Sequence, residues 1–504
     1  MLKASIESTL PTAFLATHLA DGECAPSFGE LLELAAVDGV NPRIIIVEET
    51  TSRTIEACAI CTTYDGRFHG ITLRQYILFG LFLHDYLRLY ARTPEALQVL
   101  LTAAKEDARR LKCDLLNLSS IIAEALPPGH SLALEREKKI FDSTKSDWKT
   151  LYQRKSVKRF YKDLSRLGKL HVEIIDGSVP RIMMEQMAAL HRVRWHFAGS
   201  TSAFDNPLRI REYLCHPTNK HYLRLCLNGE VVASHYGMRY GKTLLWHTPL
   251  INPKYLHYSP LRLLLAETAK YCEKNGCQSL DFGLGDEAYK DDYCDSYRTT
   301  ATFQSPLTLK GQLSLTIAWL LKRGVLTIFV HVKQGLRWLK HHTRHTQKVV
   351  YYIRHTSANT AALPDGIQFS KITTWPDFYD FMVAHHQPVE QWQYERFLHH
   401  NQMYFVALHN AHEVLCSGWT FSGDRFYIGE SKTWIHLHQQ CLLFDFVTPI
   451  EHRCKGHYTT LLKALQQMTT DSLKEQLIYA RETNIASRKA IERAGFRENK
   501  CLLK

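Results

Sequence analysis

LIYARETNIASRKAIERAGF (477–496) decides the fold, because it reads as an apolar strand that turns through a polar segment into a helix. Upstream lies LLFDFVTPIEHRCKGHYTTLLKAL (442–465), which repeats the same order. Its apolar run ends at Pro449, and Arg453, Lys455 and Gly456 stand before a segment in which Tyr458, Leu461, Leu462, Leu465 and Met468 recur at helical spacing. A helix with one buried face therefore starts at a basic loop. Gly456 can adopt the backbone angles such a turn requires. Where N–H groups converge at a helix start, the dipole is positive and a phosphate-type anion can bind. Read alone, Arg-x-x-Gly also fits an ordinary strand–turn–helix corner.

The two segments together resemble the GNAT acyltransferase superfamily. Arg453 and Gly456 match its pyrophosphate loop R-x-x-G-x-G/A, with Tyr458 in place of the last small residue. Asn484, Ser487, Gly495 and Phe496 match the following N-x-x-S/A helix ending in Gly-Phe. The resemblance covers 366–504. It implies acetyl-CoA, or another acyl-CoA, as co-substrate, held by Phe446, Val447, Thr448, Arg453, Lys455, Gly456, Tyr458, Thr459, Asn484 and Ser487. It implies direct transfer, in which an amine or hydroxyl attacks the thioester and the backbone near Phe446–Thr448 polarises its oxygen. Many members carry a tyrosine seven residues after the asparagine as proton donor. Ile491 occupies that position and has no proton to give.

An attacking amine must be neutral, so a general base is needed. Glu430, Asp445 and His457 lie near the expected strand ends and are the candidates, each open to the alternative of a solvated or capping residue.

At 504 residues the chain exceeds one core, and its length suggests about three domains. The 45% hydrophobic and 22% charged content is that of a soluble globular protein. A net charge of +12 favours anionic partners such as coenzyme A, nucleotide-linked substrates, acidic lipids or RNA; DNA is not expected. Thirteen cysteines without paired spacing, and a first twenty residues lacking an export pattern, suggest reduced thiols in the cytoplasm. Cys58 and Cys61 form one C-x-x-C with no second pair, which reads as buried thiols rather than zinc. No metal is expected. The apolar patches 76–90 and 313–332 are interrupted by charges, so neither offers about 20 apolar residues for a membrane span. The basic stretch after 332 fits either a linker or peripheral contact with an anionic membrane, and its His341, His342 and His345 lack other ligand types.

Further upstream, RIIIVEE (43–49), EACAICTTY (56–64), a helix at 94–111 and CDLLNLSSI (113–121) outline one α/β unit. A basic helix or helix pair (147–170), a strand (171–177), a helix (181–195), strands across 223–251, a helix (260–276) and QSLDFGL outline a second. The string LDFGLGDEAYKDDY (280–293), with LHRVRW (190–195), YSPL (258–261) and HDY (84–86), resembles the CelD-like acetyltransferases of cellulose and exopolysaccharide biosynthesis over 30–305. That family is thought to hold two GNAT-like halves in tandem, as Fem aminoacyltransferases do. Leu261 replaces a glycine there, and its Cβ would crowd a phosphate cradle. Asp281, Glu287 and Lys290 are candidate catalytic residues at a strand end; Asp286 is a candidate cap, and Arg194 and Trp195 fit a phosphate clamp or the core.

The expected fold is therefore α/β (α+β), with tandem GNAT-like mixed-sheet units at 1–150 and 151–305, a basic helical linker at 306–365 and a C-terminal GNAT domain at 366–504. The expected function is acyl-CoA-dependent N- or O-acyl transfer to a small-molecule or saccharide acceptor of the cell envelope. Alternatives are Fem-like aminoacyl transfer from tRNA and a non-catalytic scaffold in a polysaccharide-synthesis complex. Acceptor identity and oligomeric state are open, because acceptor pockets in these folds come from variable loops.

Overall fold

The computed structural model describes every residue except 18–24, 69, 82–83, 135–137, 206–219, 286, 323–346, 356–361, 400–401, 468–474 and 500–504. The chain forms two compact units, Met1–Trp195 with Thr201–His331 and His196–Ser200 with Val332–Lys504.

The first unit opens with strands β1 (Leu2–Glu7), β2 (Arg43–Glu49), β3 (Ile55–Phe68), β4 (Ile71–Leu78) and β5 (Tyr90–Ala91). Helix α1 (Pro94–Arg110), β6 (Leu115–Ile122), β7 (Ala133–Leu134) and β8 (Lys138–Asp142) follow. Next come β9 (Leu170–Asp176), α2 (Arg181–Phe197), β10 (Lys220–Leu227), β11 (Glu230–Tyr240) and β12 (Thr243–Ile251). Helix α3 (Pro260–Lys274), β13 (Ser279–Asp281), β14 (Ser296–Arg298) and β15 (Thr300–Pro306) complete the set used below.

Two mixed sheets result, ordered β1-β2-β3-β4-β6-β15-β7, with β5 on β3, and β14-β8-β13-β12-β11-β10-β9. Each has one parallel step, β4 with β6 and β12 with β13. Helices α1 and α3 make the crossovers, since parallel neighbours cannot be joined by a hairpin. The apolar run Ile44–Val47 is buried throughout; Ala96, Leu97, Leu100 and Leu101 form the buried stripe of α1, and Phe28, Leu31 and Leu34 of the helix Phe28–Asp38 join the same core. Thr93 caps that helix by accepting from the Ala96 N–H at 3.1 Å. Cys58 and Cys61 are fully buried in this core, and burial pushes both thiols well up.

Strands are exchanged across the expected boundary at 150/151. β8, from before it, pairs with β13 and β14, whereas β15, from the end of the second half, pairs with β6. Each parallel pair would otherwise leave an unpaired edge, and a strand from the opposite half fills it.

The second unit contains β16 (Val349–His355), β17 (Gln368–Ile372), α4 (Trp375–Ala384), α5 (Gln391–His399), β18 (Met403–His409) and β19 (Val414–Phe421). The hairpin β20 (Arg425–Ile428) and β21 (Thr433–His436) stands apart. The remainder is β22 (Gln440–Val447), α6 (His457–Ala464), β23 (Glu475–Arg481), α7 (Ile485–Arg493) and β24 (Arg497–Glu498). The sheet runs β17-β18-β19-β22-β23-β16-β24, with β22 and β23 parallel. The expected linker 306–365 therefore holds a core strand. β16 inserts between β23 and β24, and Tyr351 and Tyr352 are buried, so the third unit starts before 366. The architecture is α/β (α+β), with tandem mixed-sheet units followed by a third.

No helix among the described residues is long and apolar enough to cross a membrane. The patch at 313–332 begins as the helix Leu309–Lys322; its remainder, and His341, His342 and His345, lie outside the described residues.

Candidate functional site

Strands β22 and β23 pair only as far as Leu443 and Ile478, although they continue to Val447 and Arg481. They part at that point. A bulge against β19 accompanies the opening, with Asp445 at φ +50°. Gly418 faces the bulge, and a Cβ there would lie 2.4 Å from the Phe446 ring. Its missing side chain thus admits the ring, which lies 5.3 Å from that of Tyr458.

Beyond Pro449 the chain makes one 3-10 turn and enters α6 through Gly456, at φ +83°. No side chain caps this helix. The N–H groups of its first turn have no intrahelical partner and are available to a ligand. Beside them lies a cleft of about 620 Å³. One wall is Phe446, Val447 and Thr448; the floor is Arg453, Gly456, His457, Tyr458 and Thr459; Asn484 and Ser487 form the far wall. Ten sequence-predicted residues thus converge from segments up to about forty positions apart. Lys455 is exposed and does not line the cleft. His452, Cys454 and Arg493 do line it, and no motif in the sequence marks them.

Internal bonds fix these walls. Arg453 Nε donates to the Thr448 carbonyl at 3.2 Å, and the Asn484 side chain accepts from the Ser487 N–H at 3.1 Å, capping α7. Ser487 Oγ donates to Tyr458 Oη at 3.4 Å. Buried Arg354 donates to the Leu462 and Ala494 carbonyls at 2.8 and 2.7 Å, tying α6 to the end of α7. Burial, then His452 and Lys455, lower the His457 pKa, so this imidazole is neutral at pH 7. Burial pushes the Tyr458 hydroxyl well above its ordinary range, so it keeps its proton. Ile491 is fully buried and outside the cleft.

Side chains alternate along β23. Ile478 and Ala480 join the core formed with α6 and α7, so Tyr479 and Arg481 take the opposite face. Glu430 pairs with Arg481 at 3.7 Å, and Asp445 pairs with Arg396. Burial raises the Tyr479 hydroxyl, and the Glu430 and Asp445 charges raise it further. Of the three base candidates, Glu430 and Asp445 do not line the cleft. His457 sits in the cleft.

The candidates of the middle half, Asp281, Glu287 and Lys290, sit in a network of hydrogen bonds and ion pairs. Asp281 is fully buried and accepts from the Tyr86 hydroxyl at 2.7 Å, the Gly283 N–H at 2.8 Å and Arg298 at 3.1 Å. Lys290 is also buried, and its ammonium reaches the Leu284 and Gly285 carbonyls and Glu287. Both charges hold the loop 283–285 in place. Glu287 remains half-exposed; burial would raise its carboxyl, but Lys290 outweighs it and lowers it. Asp286 lies outside the described residues. Leu261 packs against the core beneath α3, so its side chain is taken up there.

Residues 152–291 match the family model described as an acetyltransferase (GNAT) domain. A GNAT domain lies in the middle of the chain. A search of curated proteins finds no match. Among solved structures, FemX is 11% identical, with 60% of this chain and 97% of that chain covered at a TM-score of 0.41. The tandem GNAT protein from the clavulanic acid biosynthesis pathway is 9% identical, with coverage of 61% and 98% at a TM-score of 0.40.

Proposed function

We propose that the C-terminal unit is an acyl-CoA-dependent N- or O-acyltransferase, with acetyl-CoA as donor. One observation carries this reading: the parted ends of β22 and β23 open beside an uncapped helix start at Gly456. The donor set fits a diphosphate. First-turn amides, the Arg453 guanidinium and the φ +83° glycine give a concave cationic turn, and nothing lies within 4 Å of a Cβ built on Gly456. Lys455, exposed beside it, adds positive charge at the entrance.

In this reading the thioester arm runs between Phe446–Thr448 and the Asn484–Ser487 wall. Backbone N–H groups at the bulge polarise the carbonyl oxygen. The acceptor approaches from the Tyr479 face, where Asp445 or Glu430 takes the proton of the attacking amine or hydroxyl. His457, beside the anion-binding turn, serves the diphosphate end. The acceptor is a small molecule or saccharide of the cell envelope or an exopolysaccharide, following the CelD-like string at 280–293.

A second reading is favoured by the family match itself, which falls on 152–291 rather than on the cleft. The tandem halves then perform a transfer step of their own, and an aminoacyl-tRNA donor is one form of it. Titration of acetyl-CoA into the whole protein, followed by calorimetry, tests the first reading. Saturable binding that is lost in Gly456→Glu, with a cooperative thermal unfolding transition retained, supports it. Binding that survives Gly456→Glu places the donor elsewhere in the chain, and no binding removes acyl-CoA as donor.

A further inference from the structure

We propose that His171, Glu173 and Cys226 form a binding site for a borderline divalent cation of the zinc type. The three residues come from two strands, β9 and β10. His171 and Glu173 are two apart on β9, so they share one face. Cys226 is the cross-strand partner of His171, and such pairs place their Cβ atoms about 5 Å apart. One donor atom from each residue, imidazole nitrogen, carboxylate oxygen and Sγ, lies within 4.8 Å of the other two. A tetrahedral ion with metal–ligand distances of about 2.0–2.3 Å needs donors brought together on that scale.

The surroundings support a partly filled ligand shell. His171 Nε2 lies 2.9 Å from Glu173 Oε1, so these two donors already converge. Glu173 Oε2 is engaged separately, accepting from Arg224 Nε at 2.6 Å, while Arg224 Nη1 donates to Gln186 on α2 at 3.0 Å. One carboxylate oxygen can thus turn to a metal while an outer guanidinium holds the other, as second-shell partners of ligating carboxylates do. Cys226 is 2% exposed, whereas His171 and Glu173 are partly exposed, so the site has a closed sulfur side and an open water side. Thiolate, imidazole and carboxylate select zinc over the oxygen-seeking magnesium and calcium. On binding, the thiol releases its proton to solvent, and thiolate plus carboxylate neutralise the two charges of the ion. A water completes four-coordination.

β9 is the last strand in the order of its sheet. A metal bridging β9 to β10 would clip that edge to its neighbour. The sequence conceals the site, because more than fifty residues separate His171 from Cys226 and only the register of β9 on β10 joins them.

The test uses the whole protein, stripped with a chelator and titrated with Co2+ and then Zn2+. One equivalent of Co2+ giving a thiolate-to-cobalt absorption, displaced by Zn2+, is expected. Cys226→Ser abolishes that absorption, and His171→Ala weakens affinity at least tenfold. Zn2+ raises the unfolding temperature of the native chain but not that of His171→Ala, a partly exposed position whose replacement leaves the core intact. An absorption that persists in Cys226→Ser overturns the proposal, as does equal stabilisation of the native chain and His171→Ala. Absence of a thiolate band in the native chain also overturns it.

Discussion

The Tyr86 hydroxyl donates to Asp281 Oδ1 at 2.7 Å, joining residues 195 positions apart. Both side chains are fully buried, and Arg298 closes the ion pair on the other carboxylate oxygen. Tyr86 belongs to the first half and Asp281 to the second, so this bond helps hold the tandem halves as one unit. Tyr86→Phe removes one donor from a buried carboxylate and should lower the unfolding free energy by about 1–3 kcal/mol, read by urea denaturation. A change below about 0.5 kcal/mol would mean that the bond contributes little.

Lys290 gives a test that separates structure from chemistry. Its ammonium is 3% exposed and shared among two carbonyls and Glu287. Lys290→Gln shortens the side chain and leaves those acceptors without a cation, at a cost of about 2 kcal/mol. Acetyl-CoA binding by the C-terminal cleft should stay within twofold of the native value. A large loss of binding with unchanged stability would restore a functional role for this lysine.

His191 sets a pH dependence. Its Nδ1 lies 2.7 Å from Ser202 Oγ, and its ring stacks on Trp195 at 5.5 Å. Burial lowers its pKa to about 4; nearby Asp205 opposes this, and Arg192 adds to it. The folded state therefore refuses a proton that the unfolded chain accepts near pH 6.5. Above that pH both states are neutral and the residue is indifferent. As pH falls from 6.5 to 4 the unfolded chain gains the proton and stability drops, by up to about 3 kcal/mol. His191→Gln should flatten the difference in stability between pH 7 and pH 4.5, measured by denaturant melts.

Local signals were read well where one chemistry dominates. RIIIVEE is β2 to the residue, because a doubly covered strand is a continuous apolar run. Asn484 and Gly456 stand at the starts of α7 and α6, where cap chemistry and positive φ select them. Pairing across long separations was not legible. KKIFD (138–142) carries no sign that it joins β13, nor does VVYYIRH (349–355) declare itself part of the third sheet. The burial of Asp281 and Lys290 was not legible either, since a strand-end carboxylate and lysine look alike in sequence whether they meet solvent or lock a loop. The cleft was legible in outline because its walls follow two short contiguous motifs. The ion pairs of Glu430 with Arg481 and of Asp445 with Arg396 depend on the turn of the hairpin β20–β21 and on a bulge, which no motif in the sequence marks.

Gly418 links the bulge to binding. Alanine there would set a methyl 2.4 Å from Cδ1 and 2.5 Å from Cε1 of Phe446, closer than packed atoms tolerate. Either the ring or β19 must move. Phe446 also packs on Tyr458, with ring centroids 5.3 Å apart, and both rings line the cleft. Either movement reshapes the wall that would hold the thioester arm. Gly418→Ala should therefore weaken acetyl-CoA binding about tenfold or more, with a loss of stability of about 1–3 kcal/mol from overpacking. The double variant Gly418→Ala with Phe446→Leu relieves the clash and should recover part of the stability. If the single variant binds acetyl-CoA as the native chain does while losing stability, the Phe446 wall does not contact the donor, and the arm must take another course through the unit.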